Sequence, residues 1–517
     1  TYNQLLAGAA VVAQRVKNDP AFVRHGRVAF IAKPGVDYVR TLLGIWQAGG
    51  VAVPLCVTHP QDELRYAITE ADACVVAAAG LEFTARVKPI ALSESRSFFS
   101  LEEAPTASSS MPTGVDSSLD DPALIIFTSG TTGRPKGVVL THGNLAAHTT
   151  SLVQSWAWNA NDRILHILPL HHLHGLGNKL LCALWSGASV AFSPPAPREV
   201  WARLGRAQRD GLTLFMAVPT NYALLLREVD RETSGSGVRS ELIEAGAEGA
   251  RSLRLMVSGS MALPTPVLES WRAVTGHTLL ERYGMTELGM ALSNSLDVSG
   301  RIEGAVGRPL PGVEAEIRDP ATNEVVPPGC MQDGELVGGE LLVRGPGVFK
   351  EYFRRPAETE KAFAPGGWFR TGDHASCDAK GVYRILGRAS VDVIKSGGYK
   401  ISALEIERIL LEHAAVEEAA VVGVSDDAFG QRVGAIVVPS AGTRAASTAS
   451  DGSASDIVGS AHADAERALL DTLRTDCAGK LAVYKLPTVI RAVSSIPKNA
   501  MGKINKKALV HLFSNSK

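Results

Sequence analysis

The chain has 517 residues, 45% of them hydrophobic and 20% charged, with 52 basic against 53 acidic side chains. That length predicts roughly two to four domains. The near-zero net charge argues against a general nucleic-acid binder or an acidic tail, and no run of about 18 apolar residues is present to span a membrane. Cys56, Cys74, Cys182, Cys330, Cys377 and Cys477 lie far apart without a C-x-x-C pair. They are predicted to be reduced thiols, with neither a disulfide framework nor a zinc site indicated. The start, Thr1, Tyr2 and Asn3, has no basic-then-apolar secretory pattern, and it lacks Met. The compartment is left between cytoplasm and mitochondrial matrix.

In chain order, residues 40–47 read as a helix ending at Gly49 and Gly50, and 51–54 as a strand. Residues 123–127 form an apolar strand before a glycine-rich turn. Asn144 reads as the N-cap of a helix over 144–156. Residues 232–249 are polar and rich in small side chains, so a surface excursion is expected. Residues 253–257 form a second apolar strand ahead of the Ser-Gly-Ser turn 258–260. Short β-rich runs alternating with helical patterns predict α/β layers with mostly parallel sheets. Beyond Asp392 the pattern changes: a turn at Gly397 and Gly398, a helix over 404–413 and a strand over 416–424. A Ser/Ala/Gly/Asp-biased stretch, 441–463, is too poor in apolar residues to build a core and is expected to be a mobile loop. A helix over 465–478, a strand over 486–492 and a basic tail complete an α+β unit. The expected division is an N-terminal domain, 1–389, and a C-terminal domain, 390–517.

Five motifs carry chemistry. The first, TSGTTGRPKG at 128–137, follows an apolar strand. Small hydroxyl residues and glycines let backbone N–H groups approach phosphate oxygens closely. It lacks the Gly-Lys-Ser/Thr of a Walker loop, and a bare turn is the plainer reading. The second is RYGMTE at 282–287, where Thr286 can donate to phosphate and Glu287 can hold magnesium through oxygen. The third is WFRTGD at 368–373, ending in an Asp suited to ribose hydroxyls. The fourth is Gly387-Arg388 with Ser390 and Asp392, and the fifth PKNAMGKI at 497–504, with Lys503 on a glycine turn.

In this order the five motifs resemble the adenylate-forming superfamily of acyl-CoA synthetases, adenylation domains and beetle luciferases, over nearly the whole chain. The resemblance implies a large N-terminal domain of two α/β sheet layers plus a small β-barrel, with a small mobile C-terminal lid. It implies two half-reactions: a carboxylate attacks the α-phosphate of ATP, giving acyl-adenylate and pyrophosphate, and a thiol then displaces AMP. Matched residue by residue, Thr128, Ser129, Gly130, Thr131, Thr132, Gly133 and Lys136 form the phosphate loop. Tyr283 and Gly284 join the nucleotide site. Thr286 and Glu287 contact phosphate and Mg2+, and Asp373 and Arg388 contact ribose. Lys503 reaches the reacting carboxylate and the α-phosphate, where a positioned ammonium stabilises gathering negative charge. Ser390 stands at the interdomain hinge where many members carry Asp or Lys. Gly397, Gly398 and Lys400 match the loop that faces the site during thiol transfer.

The acyl pocket is expected from residues 168–175, from Ser258, Gly259 and Ser260, and from the residue before Tyr283, with Met285 nearby. His172 matches the histidine beside the reacting carboxylate. Many relatives carry Gly before the tyrosine; here Arg282 shortens the pocket and places a permanent charge at its floor. Burying an unpaired guanidinium costs several kcal/mol. A substrate with its own anion resolves that cost, because a planar guanidinium takes a carboxylate bidentately. His174 would assist. The rivals are an internal salt bridge from Arg282 to Glu281 or Glu287, and a His-His-x-His zinc site for which no fourth ligand is evident. The segments 169–177, 258–264 and 280–287 are similar to those of malonyl-CoA synthetases, and 290–294 to the eukaryotic, plant-type members. The resemblance implies an ATP-dependent malonate:CoA ligase that often also takes methylmalonate, a use that Met261 would disfavour by tightening the pocket. A short-chain monocarboxylate ligase, a carrier-protein acylating ligase and a nucleotide-sensing pseudoenzyme are the alternatives. The expected partners are malonate, ATP and CoA, with no nucleic acid and no membrane span, in a monomer or homodimer.

Overall fold

The computed structural model describes residues 1–103, 117–128, 134–233, 239–332, 334–388, 391–396, 399–426, 429–440, 458–498 and 504–513, with the backbone alone at 103, 400 and 458–464. Two seven-stranded sheets dominate the first three-quarters of the chain. The first runs Glu351–Tyr352, Lys136–Thr141, Pro122–Thr128, Val51–Pro54, Arg27–Ile31, Val75–Ala78, Ser97–Ser100. Its last five strands are parallel, and their runs are buried on both faces, as doubly covered parallel strands require. The second runs Arg308–Pro309, Gly289–Ser293, Leu280–Met285, Leu255–Gly259, Leu214–Ala217, Arg163–His166, Ser189–Phe192. It is parallel from Leu280–Met285 onward and antiparallel at the other edge. A six-stranded antiparallel sheet follows, built around Gly338–Arg344, Trp368–Cys377 and Tyr383–Arg388; it is the small β unit the resemblance implies.

From Val393 on, the strands belong to a separate five-stranded sheet, with Gly430–Pro439 at its centre and Val416–Asp426 along one edge. The helices Ala403–Leu411 and Val458–Cys477 cover it. This is the expected α+β unit. No described helix is long and apolar enough to cross a membrane.

The differences from expectation have local causes. The helix predicted over 144–156 is His142–Ser155, and its N-cap is Thr141, not Asn144. Thr141 Oγ1 accepts from the Asn144 N–H while Asn144 Oδ1 accepts from the Thr141 N–H, so Asn144 sits at the third helical position of a capping box. The helix read as 40–47 begins a turn earlier, as Val36–Gln47. The stretch read as a surface excursion over 232–249 contains most of a helix, Glu241–Arg251, which buries Ile243, Gly246, Ala247, Gly249 and Ala250. Its glycines are a packing face: a Cβ on Gly249 would stand 1.8 Å from the Leu204 carbonyl oxygen, and one on Gly246 2.5 Å from the Trp201 ring. The helix expected at 465–478 is Val458–Cys477, so residues 458–463 of the expected loop are helical; 441–457 lie outside the described residues. The last strand is Val489–Ala492, shorter than predicted because a 3-10 turn, Val483–Lys485, precedes it.

Candidate active site

The site lies where the carboxyl ends of the second sheet's strands meet the antiparallel unit. Strand Leu255–Gly259 pairs in parallel register with Leu280–Met285, which sets Gly259 beside Arg282 and Ser258 beside Glu281. Alternation along the strand sends Arg282 and Tyr283 to opposite faces. Tyr283 donates its hydroxyl to Asp373 Oδ2 at 2.6 Å. Asp373 and Arg388 are cross-strand partners, and Arg388 Nε stands 3.1 Å from Asp373 Oδ1. The backbone N–H of Arg388 donates to Asp392 Oδ2, and Asp392 is ion-paired with the buried Lys506.

A bulge between Tyr283 and Gly284 turns the strand toward Thr286 and Glu287, both half-buried. Gly284 is obligatory there, because a Cβ would stand 2.1 Å from the Gly289 carbonyl oxygen. Glu287 accepts from the Tyr352 hydroxyl at 3.0 Å, and burial pushes its carboxyl above the usual range. A carboxylate held largely dry with one hydrogen-bond donor is favoured in its charged form by a cation, so this position fits a magnesium ligand. Thr128 ends strand Pro122–Thr128 opposite Lys136 in the partner strand. Lys136 is ion-paired with Glu358 and lies over the Tyr352 ring at 5.0 Å. Both ends of the loop 129–133 are thereby fixed.

On the other face, Arg282 is 3% exposed, and all three of its guanidinium nitrogens lack a hydrogen-bond partner among the described residues. Its charge is disfavoured by burial, which pushes it down to about 9. The internal salt bridge is not made: Glu281 accepts from the Gly304 N–H at 3.0 Å, and Glu287 faces Tyr352. Gly259 makes the room, since a Cβ there would stand 2.6 Å from Arg282 Cζ. Ser260 holds a left-handed backbone, φ 74°, unusual without glycine and a mark of a constrained turn. Its hydroxyl meets His174 Nδ1 at 3.1 Å, leaving the buried His174 Nε2 without a partner among the described residues. Burial, then the Arg282 charge, holds His174 neutral well below its ordinary value. Ser258 Oγ is also buried without a partner. His172 starts the short helix Leu173–Gly175, and Met285, paired with Gly289, is half-buried.

One member of this cluster escaped the sequence reading. Lys179 lies on a π-helical turn, Leu176–Leu181, fully buried, donating to the Met216 carbonyl oxygen. Burial, then Arg282, lowers its ammonium well below the usual lysine range. A lysine inside the apolar run 176–182 was the available signal. Asn178 beside it meets His148 Nε2, whose Nδ1 accepts from the Met290 N–H. Arg282 and Lys179 therefore share a dry region without a described carboxylate partner, which is a site prepared for an anion. Ser129, Gly130, Thr131, Thr132, Gly133, Ser390, Gly397, Gly398 and Lys503 lie outside the described residues, as does the Lys400 side chain.

A family model described as AMP-binding enzyme matches residues 1–353, and one described as AMP-binding enzyme C-terminal domain matches 405–503. The chain belongs to the AMP-binding enzyme family. Among relatives of this AMP-binding enzyme, the mitochondrial malonate–CoA ligase ACSF3 of Mus musculus is 43% identical, over 99% of this chain and 86% of that one. A malonate–CoA ligase of Arabidopsis thaliana is 38% identical, over 95% and 79%. The crystal structure of ATP-bound MatB from Rhodopseudomonas palustris superposes with a TM-score of 0.80 at 31% identity, covering 99% of this chain and 93% of that one.

Proposed function

We propose that this enzyme is an ATP-dependent malonate:CoA ligase that forms malonyl-CoA through malonyl-adenylate, releasing AMP and pyrophosphate. The observation that carries the reading is the buried Arg282 guanidinium without a partner, set against Gly259 beside His174. The malonate–CoA ligases among its relatives support it. One carboxylate of malonate takes two parallel hydrogen bonds from Arg282, with His174 Nε2–H and Ser258 Oγ–H completing its shell. Ser260 holds the His174 tautomer by donating to Nδ1. The other carboxylate then faces His172 and the α-phosphate. Arg282 gains far more from a dianion than from acetate, because only the dianion neutralises it.

On the nucleotide side, Asp373 and Arg388 hold ribose beneath Tyr283 and Gly284. Thr128, Lys136 and the loop between them hold the β- and γ-phosphates, with Thr286 at the α-phosphate. Glu287 would hold magnesium, whose chemistry is to neutralise charge on the departing pyrophosphate. Lys503 stabilises the charge that gathers as the carboxylate oxygen attacks phosphorus. The division falls between 389 and 390, with a hinge at Ser390. Movement there exchanges Lys503 for the Gly397, Gly398 and Lys400 loop, so that the CoA thiol can displace AMP. The mitochondrial relative supports a mitochondrial compartment.

The test is AMP release with ATP, Mg2+ and CoA across malonate, methylmalonate, succinate, acetate and butyrate, in wild type and Arg282→Ala. Malonate is expected to lead. The variant is expected to lose about tenfold to over a hundredfold in kcat/KM for malonate, the value of a charge-assisted bidentate contact, and far less for acetate. Equal losses for every acid would refute the dicarboxylate pocket.

A further inference from the structure

A second cluster lies just outside the acyl pocket. Cys56 follows strand Val51–Pro54, His59 precedes helix Gln61–Glu70, and His171 is in the loop that continues into His172. Residues 115 positions apart in sequence thus meet at the carboxyl ends of the two parallel sheets. One ligating atom from each of the three lies within 4.8 Å of the others. The His59 and His171 rings stand 5.7 Å apart, edge to face, and His171 packs on His172 at 4.1 Å.

We infer that Cys56, His59 and His171 form a three-ligand site for a soft divalent cation such as zinc. A thiolate with two imidazoles is a borderline-soft donor set, and the remaining position of a tetrahedron stays open to water. Ligand atoms around tetrahedral zinc stand about 3.3–3.7 Å apart, so closure needs side-chain shifts of about 1 Å. The surroundings are built as metal sites are. Glu63 Oε2 lies 3.2 Å from His59 Nδ1, the carboxylate–histidine arrangement that orients an imidazole and leaves Nε2 for the metal. Thr58 Oγ1 lies 3.2 Å from Cys56 Sγ. Burial raises the Cys56 thiol, but hydrogen bonds with His171, His59 and Thr58 outweigh it and bring it down to about 4. Metal binding would take the thiolate form of Cys56, its proton leaving to solvent. A bound cation would also fix His171, the residue against which His172 packs.

The test uses the full chain, freed of metal by a chelator and titrated with Co2+. One equivalent is expected to bind with a cobalt–thiolate charge-transfer band that disappears in Cys56→Ser and on adding Zn2+. Glu63→Gln, at an exposed position, is expected to weaken binding tenfold or more. In the unmodified protein, one equivalent of Zn2+ is expected to protect Cys56 from iodoacetamide, read by peptide mass, and a chelator to restore its labelling. Absence of the band, its persistence in Cys56→Ser, or unprotected labelling of Cys56 would overturn the site.

Discussion

At the scale of single residues, the proposed acid pocket depends as much on a missing side chain as on the charge it admits. Gly259 leaves the space that Arg282 fills, and its φ is ordinary, so the requirement is steric and not conformational. Gly259→Ala would place a Cβ against the flexible end of Arg282, which can move without disturbing the backbone. The variant is expected to fold with a Tm within a few degrees of wild type, yet to raise the KM for malonate about tenfold or more as the guanidinium leaves its place. Steady-state kinetics beside a thermal melt check both halves; an unchanged KM would mean that Arg282 does not touch the acid. Arg282 itself was legible in the sequence, because a charge before a tyrosine that many relatives precede with glycine is a local anomaly. Lys179 was not, since one lysine in an apolar run reads equally as a helix end. Nor was the meeting of Cys56 with His171, which only the fold creates.

At the scale of elements, strands and motifs were easier to read than the roles of small residues. Parallel strands such as Leu255–Gly259 announce themselves as apolar runs between turn residues. The helix Glu241–Arg251 does not, because its buried face is made of alanine and glycine, which in sequence resemble a linker. Its glycines let it approach the helix Pro197–Leu204 at backbone distance. Gly249→Ala meets backbone, which cannot yield as a side-chain tip can, and is expected to cost about 1–3 kcal/mol of stability. Glu248→Ala, one residue away and exposed, is expected to stay within about 0.5 kcal/mol. Urea denaturation of the pair decides it: equal stabilities would show that the helix tolerates separation from its neighbour.

At the scale of the whole molecule, charges buried without compensation make stability depend on pH. His148 is locked neutral by the Met290 N–H at Nδ1 and by donating from Nε2 to Asn178; burial brings it down to about 4. Burial, then Lys179, brings His166 down to about 3. Both sit near 6.5 in the unfolded chain, which therefore binds more protons than the folded one as pH falls below that value. The contribution of these two histidines is complete above pH 6.5 and is lost on acidification, by about 1.4 kcal/mol per pH unit for each, until the folded values are reached, while Glu281, pushed up to about 7 by burial, acts in the opposite direction. Denaturation at pH 7.5, 6 and 5, compared between wild type and His148→Gln, isolates the His148 contribution, and an identical pH slope in the two proteins would contradict the burial of that ring. The two parts of the chain are joined by charge as well as by the backbone. Arg227 reaches Glu417 and Glu418, and Lys485 bridges Glu335 and Glu405. The change of pattern beyond Asp392 disclosed the separate C-terminal sheet, whereas these bridges join residues too far apart in sequence for any local pattern to reveal.

Strand Leu280–Met285 turns Arg282 against Gly259 and Tyr283 toward Asp373. Under the proposed function, two choices, which acid to activate and which nucleotide to spend, are made one residue apart on opposite faces of a single strand. A lineage can alter the first by changing Arg282 and the side chains around it while Tyr283, Asp373 and Arg388 stay untouched. New acid substrates are then reachable by small steps, none of which puts the adenylating half of the enzyme at risk.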